Sequence, residues 1–310
     1  METVVFSLLN GTIYGLLLFM LSSGLTLIFS MMGVLNFAHA SFYMIGAYFA
    51  YTIGATTGFW VALFLAPILV AALGAIVERY GLRKVHTNGH VAELLFTFGL
   101  AYLIEEIVKI IWGKFAVPYR VPDALDFPLF QLYGTDYPAY RIFMLVVSVT
   151  MLAVLFVLLK KTRTGLIIQA ALTHPHMVGH LGHNVPQIFM LVFGIGCGLA
   201  GLAGVIGGNY LVTEPGMAFN IGPIVFVVVV IGGMGSLMGA FIASILLGLT
   251  QTFAVAIDTT FAQIFGFIGL GPTTELGALS ISAIAPMLPF ILLVLILMVR
   301  PRGLLGEREF

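Results

Sequence analysis

Long apolar runs constrain this chain more than any other feature. A membrane-spanning helix needs roughly 20 mostly apolar residues, and runs of that kind cover residues 4–30, 38–55, 59–79, 91–112, 140–159, 186–207, 220–256 and 278–299. Only 8% of the 310 residues are charged, whereas soluble chains carry about 25%. The runs are long and continuous, unlike the short alternating strands of a barrel. The sequence therefore predicts an all-α, polytopic transmembrane helical bundle, forming a single domain over residues 1–310.

The number of spans depends on two irregular segments. The run at 220–256 is long enough for two short spans broken at Gly232–Ser236, and a second break is predicted around Asn36. These choices give eight or nine spans. Irregular backbone at membrane depth is tolerated only where protein buries it or where it lines a cavity, so both breaks are predicted to be broken or re-entrant segments.

Basic residues predict the orientation of the chain. They cluster at 79–84, 160–163 and 300–308, and such clusters mark cytoplasmic ends. The loop at about 160–186 is therefore predicted to be cytoplasmic. The acidic, proline-containing segment at about 113–139 is predicted to be the main external loop, together with the links that carry Glu214 and residues 258–275. Nine spans would place the amino terminus outside, and eight would place it inside.

Ionisable residues inside membrane spans are functional candidates. The sequence places His39, Glu93, Glu105, Glu106 and Lys109 there. Lys109 lies four residues after Glu105 and three after Glu106, so one helix can pair them internally. The alternative is an ion or proton relay in a self-contained secondary transporter or channel.

Two other patterns bear on chemistry. His176, His180 and His183 would share one helical face, which is compatible with a metal site, but no cysteine or carboxylate lies nearby, and a polar loop is the preferred interpretation. The glycine-rich segment at 232–239 lacks the Lys-Ser or Lys-Thr of a nucleotide-binding loop. We therefore expect no catalytic residue, metal or cofactor on this chain. The net charge of zero gives no support for nucleic-acid binding.

Polar groups between apolar segments are the candidates for a translocation pathway. Asn36, His39 and Ser41 place an amide, an imidazole and a hydroxyl at the first predicted break. They would line a cavity or brace the break. The second break adds Gly232, Gly233, Gly235 and Ser236 to the predicted pathway.

The chain resembles the LivH-type permease subunits of the bacterial ABC importers for branched-chain amino acids. The resemblance covers nearly the whole sequence and is carried, in order, by Gly24–Tyr48, Thr164-Gly165, Gly201–Gly204, Gly232–Ala240 and Arg300–Gly306. It implies half of a translocation pathway in the cell inner membrane, for branched-chain or other hydrophobic amino acids or related small carboxylates and amides.

The same resemblance implies partners. They are a homologous second permease of the LivM type, two cytoplasmic ATPase subunits that hold ATP and Mg, and an extracytoplasmic binding protein that delivers the solute. In this family the cytoplasmic loop contains a short coupling helix that docks on an ATPase, which here would fall within residues 170–184. The residues that the resemblance assigns to coupling are Thr164, Gly165, Gln169, Ala170, Ala171, His174, Gly182 and Asn184.

Overall fold

The computed structural model describes residues 2–173, 175–257, 259–260, 263 and 280–306. For residues 31, 164, 172, 173, 175 and 176 it describes the backbone but not the side chains. His174, Arg308 and most of 258–275 therefore lie outside the described residues. The helices are α1 Glu2–Met32, α2 His39–Thr57, α3 Phe59–Val77, α4 Arg83–His86, α5 His90–Trp112, α6 Ala139–Lys161, α7 Arg163–Thr173, α8 Pro175–His180, α9 Val185–Gly207, α10 Met217–Gly232, α11 Leu237–Ala256, α12 Ile281–Ile284 and α13 Leu288–Val299.

Shorter elements complete the chain. A π-helical turn, Glu78–Leu82, joins α3 to α4, and 3-10 turns lie at Asp123–Leu125 and Ala285–Met287. The strands β1 Pro128–Leu132 and β2 Thr135–Pro138 form an antiparallel hairpin in the predicted external loop. Tyr133 and Gly134 both have positive φ at its turn, as a two-residue hairpin connection requires.

The helical, polytopic character predicted from the sequence is confirmed. Six helical segments in the described part of the chain are long and apolar enough to cross a membrane: 2–30, 59–86, 139–161, 185–207, 237–256 and 281–299. Three further helices, α2, α5 and α10, coincide with predicted spans but do not meet the same criterion. α5 carries Glu93, Glu105, Glu106 and Lys109, and α10 has only 16 residues. Length and apolarity alone thus support six spans rather than eight or nine.

Helix α9 lies at the centre of the bundle, against α1, α2 and α3. Its glycines make this packing possible. A β-carbon at Gly204 would overlap the carbonyl oxygen of Tyr43 on α2, and one at Gly196 would lie 2.9 Å from the carbonyl oxygen of Gly24 on α1. Small residues allow helix backbones to approach closely in lipid, so the prediction of tight glycine packing along this run is confirmed.

The chain breaks between α1 and α2 in the interior of the bundle. Residues 33–38 are not helical, and Val34, Asn36 and Ala38 are fully buried. α2 begins at His39, whose ring contacts Leu21. Leu21 lies about three turns before the end of α1, or about 16 Å along the axis. The chain therefore turns back beside α1, and α2 starts level with the middle of α1.

The two ends of the bundle differ in charge. Arg83, Lys160, Lys161, Arg300 and Arg302 lie at one end, which we call the basic end. There Arg83 Nη2 donates to the carbonyl oxygen of Pro186 at 2.7 Å, and Leu27, Leu159, Ile168 and Val192 form a small core beneath α7. The segments 113–138 and 208–216 meet at the opposite end, the loop end, where Val117 N donates to the Thr213 carbonyl oxygen at 2.9 Å.

Candidate functional site: two cavities and a basic-end docking face

The larger cavity has a volume of about 400 Å³ and lies between α2, α5, α10 and α13. We call it the apolar cavity. Five aromatic rings form much of its wall: Phe37, Phe98, Phe219, Phe226 and Phe290. Phe37 contacts both Phe226 and Phe98, with ring centroids 4.7 and 6.3 Å apart. This geometry favours an apolar group within the cavity, because aromatic walls provide large apolar contact area.

Ser41 is the predicted pathway residue that lines the apolar cavity. It lies in the first turn of α2, beside Ala40, and is 1% exposed. Among the described residues its hydroxyl has no hydrogen-bond partner. The wall of the cavity therefore offers one small hydroxyl in otherwise apolar surroundings.

Asn36 and His39 lie behind that wall and brace the break. His39 Nε2 donates to the carbonyl oxygen of Leu21 at 2.9 Å, and Asn36 Oδ1 accepts from Ala38 N at 3.1 Å. His39 Nδ1 and Asn36 Nδ2 are buried without a partner among the described residues. The structure thus separates the predicted trio, since the hydroxyl faces the cavity while the amide and imidazole hold the start of α2 in place.

The glycine turn between α10 and α11 lies at the basic end, and none of its residues is among those that line the apolar cavity. Gly233 and Gly235 have φ of 98° and 88°, which favours glycine, and Ser236 Oγ accepts from Gly239 N at 3.1 Å. The carboxyl-terminal segment pairs with the end of α10: Leu304 N and Leu305 N donate to the carbonyl oxygens of Ile231 and Gly232 at 2.7 and 3.0 Å. Gly232, Gly233, Gly235 and Ser236 therefore form the turn that joins α10 to α11 at the basic end.

A smaller cavity of about 250 Å³, the Glu214 pocket, was not predicted from the sequence. It lies toward the loop end between α1, α2, α10 and the segment 208–216. Its polar lining residues are Tyr14, Tyr43, Glu214 and Asn220. These residues come from three separate parts of the chain, α1, α2 and residues 214–220, so no local pattern connects all of them. The acidic link at Glu214 was the only sequence signal.

At the basic end, α7 is fixed to the end of α6. Thr162 Oγ1 accepts from Gly165 N at 3.0 Å, and Gln169 Nε2 donates to the Leu159 carbonyl oxygen at 3.2 Å. A β-carbon at Gly165 would overlap the carbonyl oxygen of Leu158. Gly165 and Gln169 thus position the segment predicted to couple to an ATPase. Thr164 lies in α7, and nothing is described of its side chain.

Three large apolar side chains of that segment are exposed, and together we call them the docking face: Leu166, Met177 and Leu181. These side chains are 58%, 64% and 77% exposed, whereas Ala171 is buried. Gly182, two residues after the end of α8, has φ 87°, and His183 N donates to the Val178 carbonyl oxygen at 3.2 Å. Asn184 then caps α9 by accepting from Gln187 N at 3.2 Å. Ala170 is exposed beside the face.

Three of the ionisable candidates, Glu105, Glu106 and Lys109, are paired with one another. Lys109 Nζ lies 2.8 Å from both Glu105 Oε1 and Glu106 Oε1, so the predicted pairing within α5 is confirmed. Buried Glu93 contacts His86 and His90. Among the described residues, no group of three His, Cys, Asp or Glu side chains is placed to hold a metal ion.

Known proteins resemble the chain over nearly its whole length. The family model described as "Branched-chain amino acid transport system / permease component" matches residues 7–299. The high-affinity branched-chain amino acid transport system permease protein BraD of Pseudomonas aeruginosa is 29% identical, with 97% of this chain and 95% of that protein covered. The corresponding LivH of Escherichia coli K12 is 27% identical, with 97% and 94% covered.

Two more distant similarities were found. A probable branched-chain amino acid transport permease protein LivH of Methanocaldococcus jannaschii is 25% identical, with 78% of each chain covered. The solved structure of PsaBC from Streptococcus pneumoniae in complex with Fab covers 97% of this chain and 91% of that one at 12% identity, with a TM-score of 0.41, too low to establish a shared fold. The family match over residues 7–299 is decisive: this chain belongs to the branched-chain amino acid transport system permease component family.

Proposed function

We propose that this permease is one half of the translocation pathway of an ATP-driven ABC importer. Its cargo would be branched-chain or other hydrophobic amino acids, or related small carboxylates and amides. As a permease component with six apolar helices of membrane-spanning length, it is a multi-pass protein of the cell inner membrane. The docking face carries the proposal, because an exposed apolar surface on well-anchored helices marks an interaction site.

Three kinds of partner protein would complete the proposed importer. A LivM-type second permease would close the pathway, and two ATPase subunits carrying ATP and Mg would bind at the basic end. A binding protein would deliver the solute at the loop end. No cofactor is proposed on this chain.

Force would enter through α7 and α8. α7 is anchored to α6, and Asn184 connects the docking face directly to α9. α9 packs against α1, α2 and α3 through glycines, so displacement of the docking face would tilt the central helix against α2. The first turn of α2 forms part of the apolar cavity, which would then open alternately to either side. Asn36 and His39 would hold this turn, and the joint at Gly232, Gly233, Gly235 and Ser236 would flex.

We further propose nine membrane segments, formed by the six apolar spans together with α2, α5 and α10. The polar residues of α2 are compatible with membrane depth because its first half is buried inside the bundle, away from lipid. The basic end would then be cytoplasmic, the amino terminus and the loop 113–139 external, and residues 1–310 one domain.

Reconstitution tests the assembly. The chain, its second permease and its ATPases would be purified together, placed in proteoliposomes, and supplied with binding protein and radiolabelled leucine. We expect uptake only when ATP, Mg and the binding protein are all present. Gradient-driven leucine uptake by this chain alone would overturn the proposal and favour a self-contained transporter.

A further inference from the structure

The Glu214 pocket combines polar and apolar groups in a way that the apolar cavity does not. Tyr14 of α1, Tyr43 of α2, and Glu214 and Asn220 around the start of α10 form its polar part. The remaining lining residues are apolar: Leu211, Val212, Met217, Ile221 and Ile224. Small-molecule sites are typically clefts with apolar walls and a few polar groups that fix orientation.

Glu214 supplies the one negative charge among the residues that line this pocket. It is partly buried, and Asn220 Nδ2 donates to its Oε1 at 3.3 Å. No lysine, arginine or histidine of the described chain lies within salt-bridge distance of it. A partly buried carboxylate without a cation favours binding of a positively charged group.

Two features at the same pocket favour a negative group. α10 begins at Met217, and the amino-terminal end of a helix carries partial positive charge. Tyr43 lines the pocket, is fully buried, and its hydroxyl has no hydrogen-bond partner among the described residues. A buried hydroxyl without a partner is costly, and a ligand carboxylate would satisfy it.

We propose that the Glu214 pocket binds the α-amino and α-carboxyl groups of an apolar amino acid before it reaches the apolar cavity. Glu214 holds the ammonium group, the start of α10 and the Tyr43 hydroxyl hold the carboxylate, and Leu211, Met217 and Ile221 contact the side chain. This inference rests on the proposed function and assigns a binding site to its solute. The pocket and the apolar cavity lie on opposite faces of α10, with Asn220 and Ile224 on one side and Gly222 and Phe226 on the other.

Three related probes separate the roles of the two ligand charges. Leucine has both, leucinamide lacks the carboxylate, and 4-methylpentanoate has the leucine skeleton without the amino group. Binding of radiolabelled leucine to the full-length chain, purified with its partner subunits in nanodiscs and without binding protein, would be measured by scintillation proximity. The other two compounds would be used as competitors, with radiolabelled forms for the variants.

Glu214→Gln is expected to weaken binding of leucine and leucinamide by at least about tenfold, since a hydrogen bond to a charged group is removed. Binding of 4-methylpentanoate should be unchanged. Tyr43→Phe, which keeps the ring, should weaken leucine and 4-methylpentanoate but spare leucinamide. Glu106→Gln is the matched control, because Glu106 pairs with Lys109 away from the pocket, and it should bind all three probes like the parent protein.

Three outcomes would overturn the inference. They are unchanged leucine binding in Glu214→Gln, an equal loss of all three probes in that variant, and absence of leucine binding to the parent protein at millimolar concentration. None of these affects the reconstituted, ATP-dependent uptake that tests the proposed function. If ATP-dependent uptake were absent but leucine binding were intact, the proposed importer assembly would be rejected and the inference about the Glu214 pocket would stand.

Discussion

At the residue scale, His39 shows how a buried polar group can serve transport without facing the solute. Its Nε2 donates to the Leu21 carbonyl oxygen and holds the first turn of α2, where Ala40 and Ser41 form cavity wall. His39→Leu removes that bond at a cost of about 0.5–1.5 kcal/mol. We expect ATP-dependent uptake to fall more than membrane abundance, measured by transport assay and immunoblot. Thr150→Val, on the exposed face of α6, is the control, and equal losses of uptake and abundance would indicate a purely structural residue.

The close packing of Gly204 against α2 leads to a second prediction at the residue scale. A β-carbon there would overlap the Tyr43 carbonyl oxygen, and backbone cannot yield as a side chain can. Gly204→Ala should therefore lower stability by about 1–3 kcal/mol or more, the usual cost of overpacking. Gly99→Ala in α5 is the matched control, since nothing lies within 4 Å of its β-carbon position. Thermal unfolding in detergent should separate the two variants, and equal melting temperatures would show that α2 and α9 are less closely packed.

At the element scale, the carboxyl-terminal segment caps α10 through backbone groups. Gly303 has φ 76°, and its β-carbon position lies 2.6 Å from Gly233 N. Gly303→Val should displace the segment and leave the Ile231 and Gly232 carbonyl oxygens without their donors, at about 1–3 kcal/mol each if they stay buried. Leu305→Ala keeps the backbone donors and should be nearly neutral. Hydrogen exchange at Leu304 and Leu305 measures the difference, and unchanged protection in Gly303→Val would contradict the cap.

The second prediction at the element scale concerns changes at the docking face. Met177→Glu places a charge on an exposed apolar surface without disturbing the core, so membrane insertion should stay normal. Gly182→Pro should have a similar effect through the backbone, because proline fixes φ near −65° and the native φ is 87°. Both variants should uncouple ATP hydrolysis from uptake in the reconstituted system. Ser280→Ala, on a segment away from the docking face, is the control. Normal coupling in both variants would place the docking surface elsewhere.

Elements were predictable from the sequence, but their mutual arrangement was not. The runs at 91–112 and 186–207 match α5 and α9 to within one residue at each end, because each run is mostly apolar and long enough to cross the bilayer as one helix whose backbone groups are satisfied internally. The start of α2 beside Leu21 depends on the path of residues 33–38. These residues are not helical, so no hydrophobic periodicity predicts that path. The Glu214 pocket likewise needs Tyr14, Tyr43 and Asn220 to converge from separate helices, and only the packed bundle brings them together.

At the scale of the whole molecule, the charges at the two ends of the bundle are consistent with one orientation in the membrane. If the basic end is cytoplasmic, α1 runs inward, the hairpin at 128–138 lies outside, and the docking face and the carboxyl-terminal segment lie inside. The native cysteine, Cys197, is buried, so single introduced cysteines can report the side of the membrane. We expect a membrane-impermeant maleimide to label Glu2→Cys and Tyr133→Cys in intact spheroplasts.

Arg302→Cys should be labelled by the same reagent only after the membrane is permeabilised, and the parent protein should stay unlabelled throughout. This pattern follows from the nine-segment arrangement, since an odd number of crossings separates residue 2 from residue 302. Under an eight-segment arrangement both positions would lie on the cytoplasmic side. The maleimide would then label Glu2→Cys, like Arg302→Cys, only after the membrane is permeabilised. That result would require one of α2, α5 and α10 to lie outside the membrane.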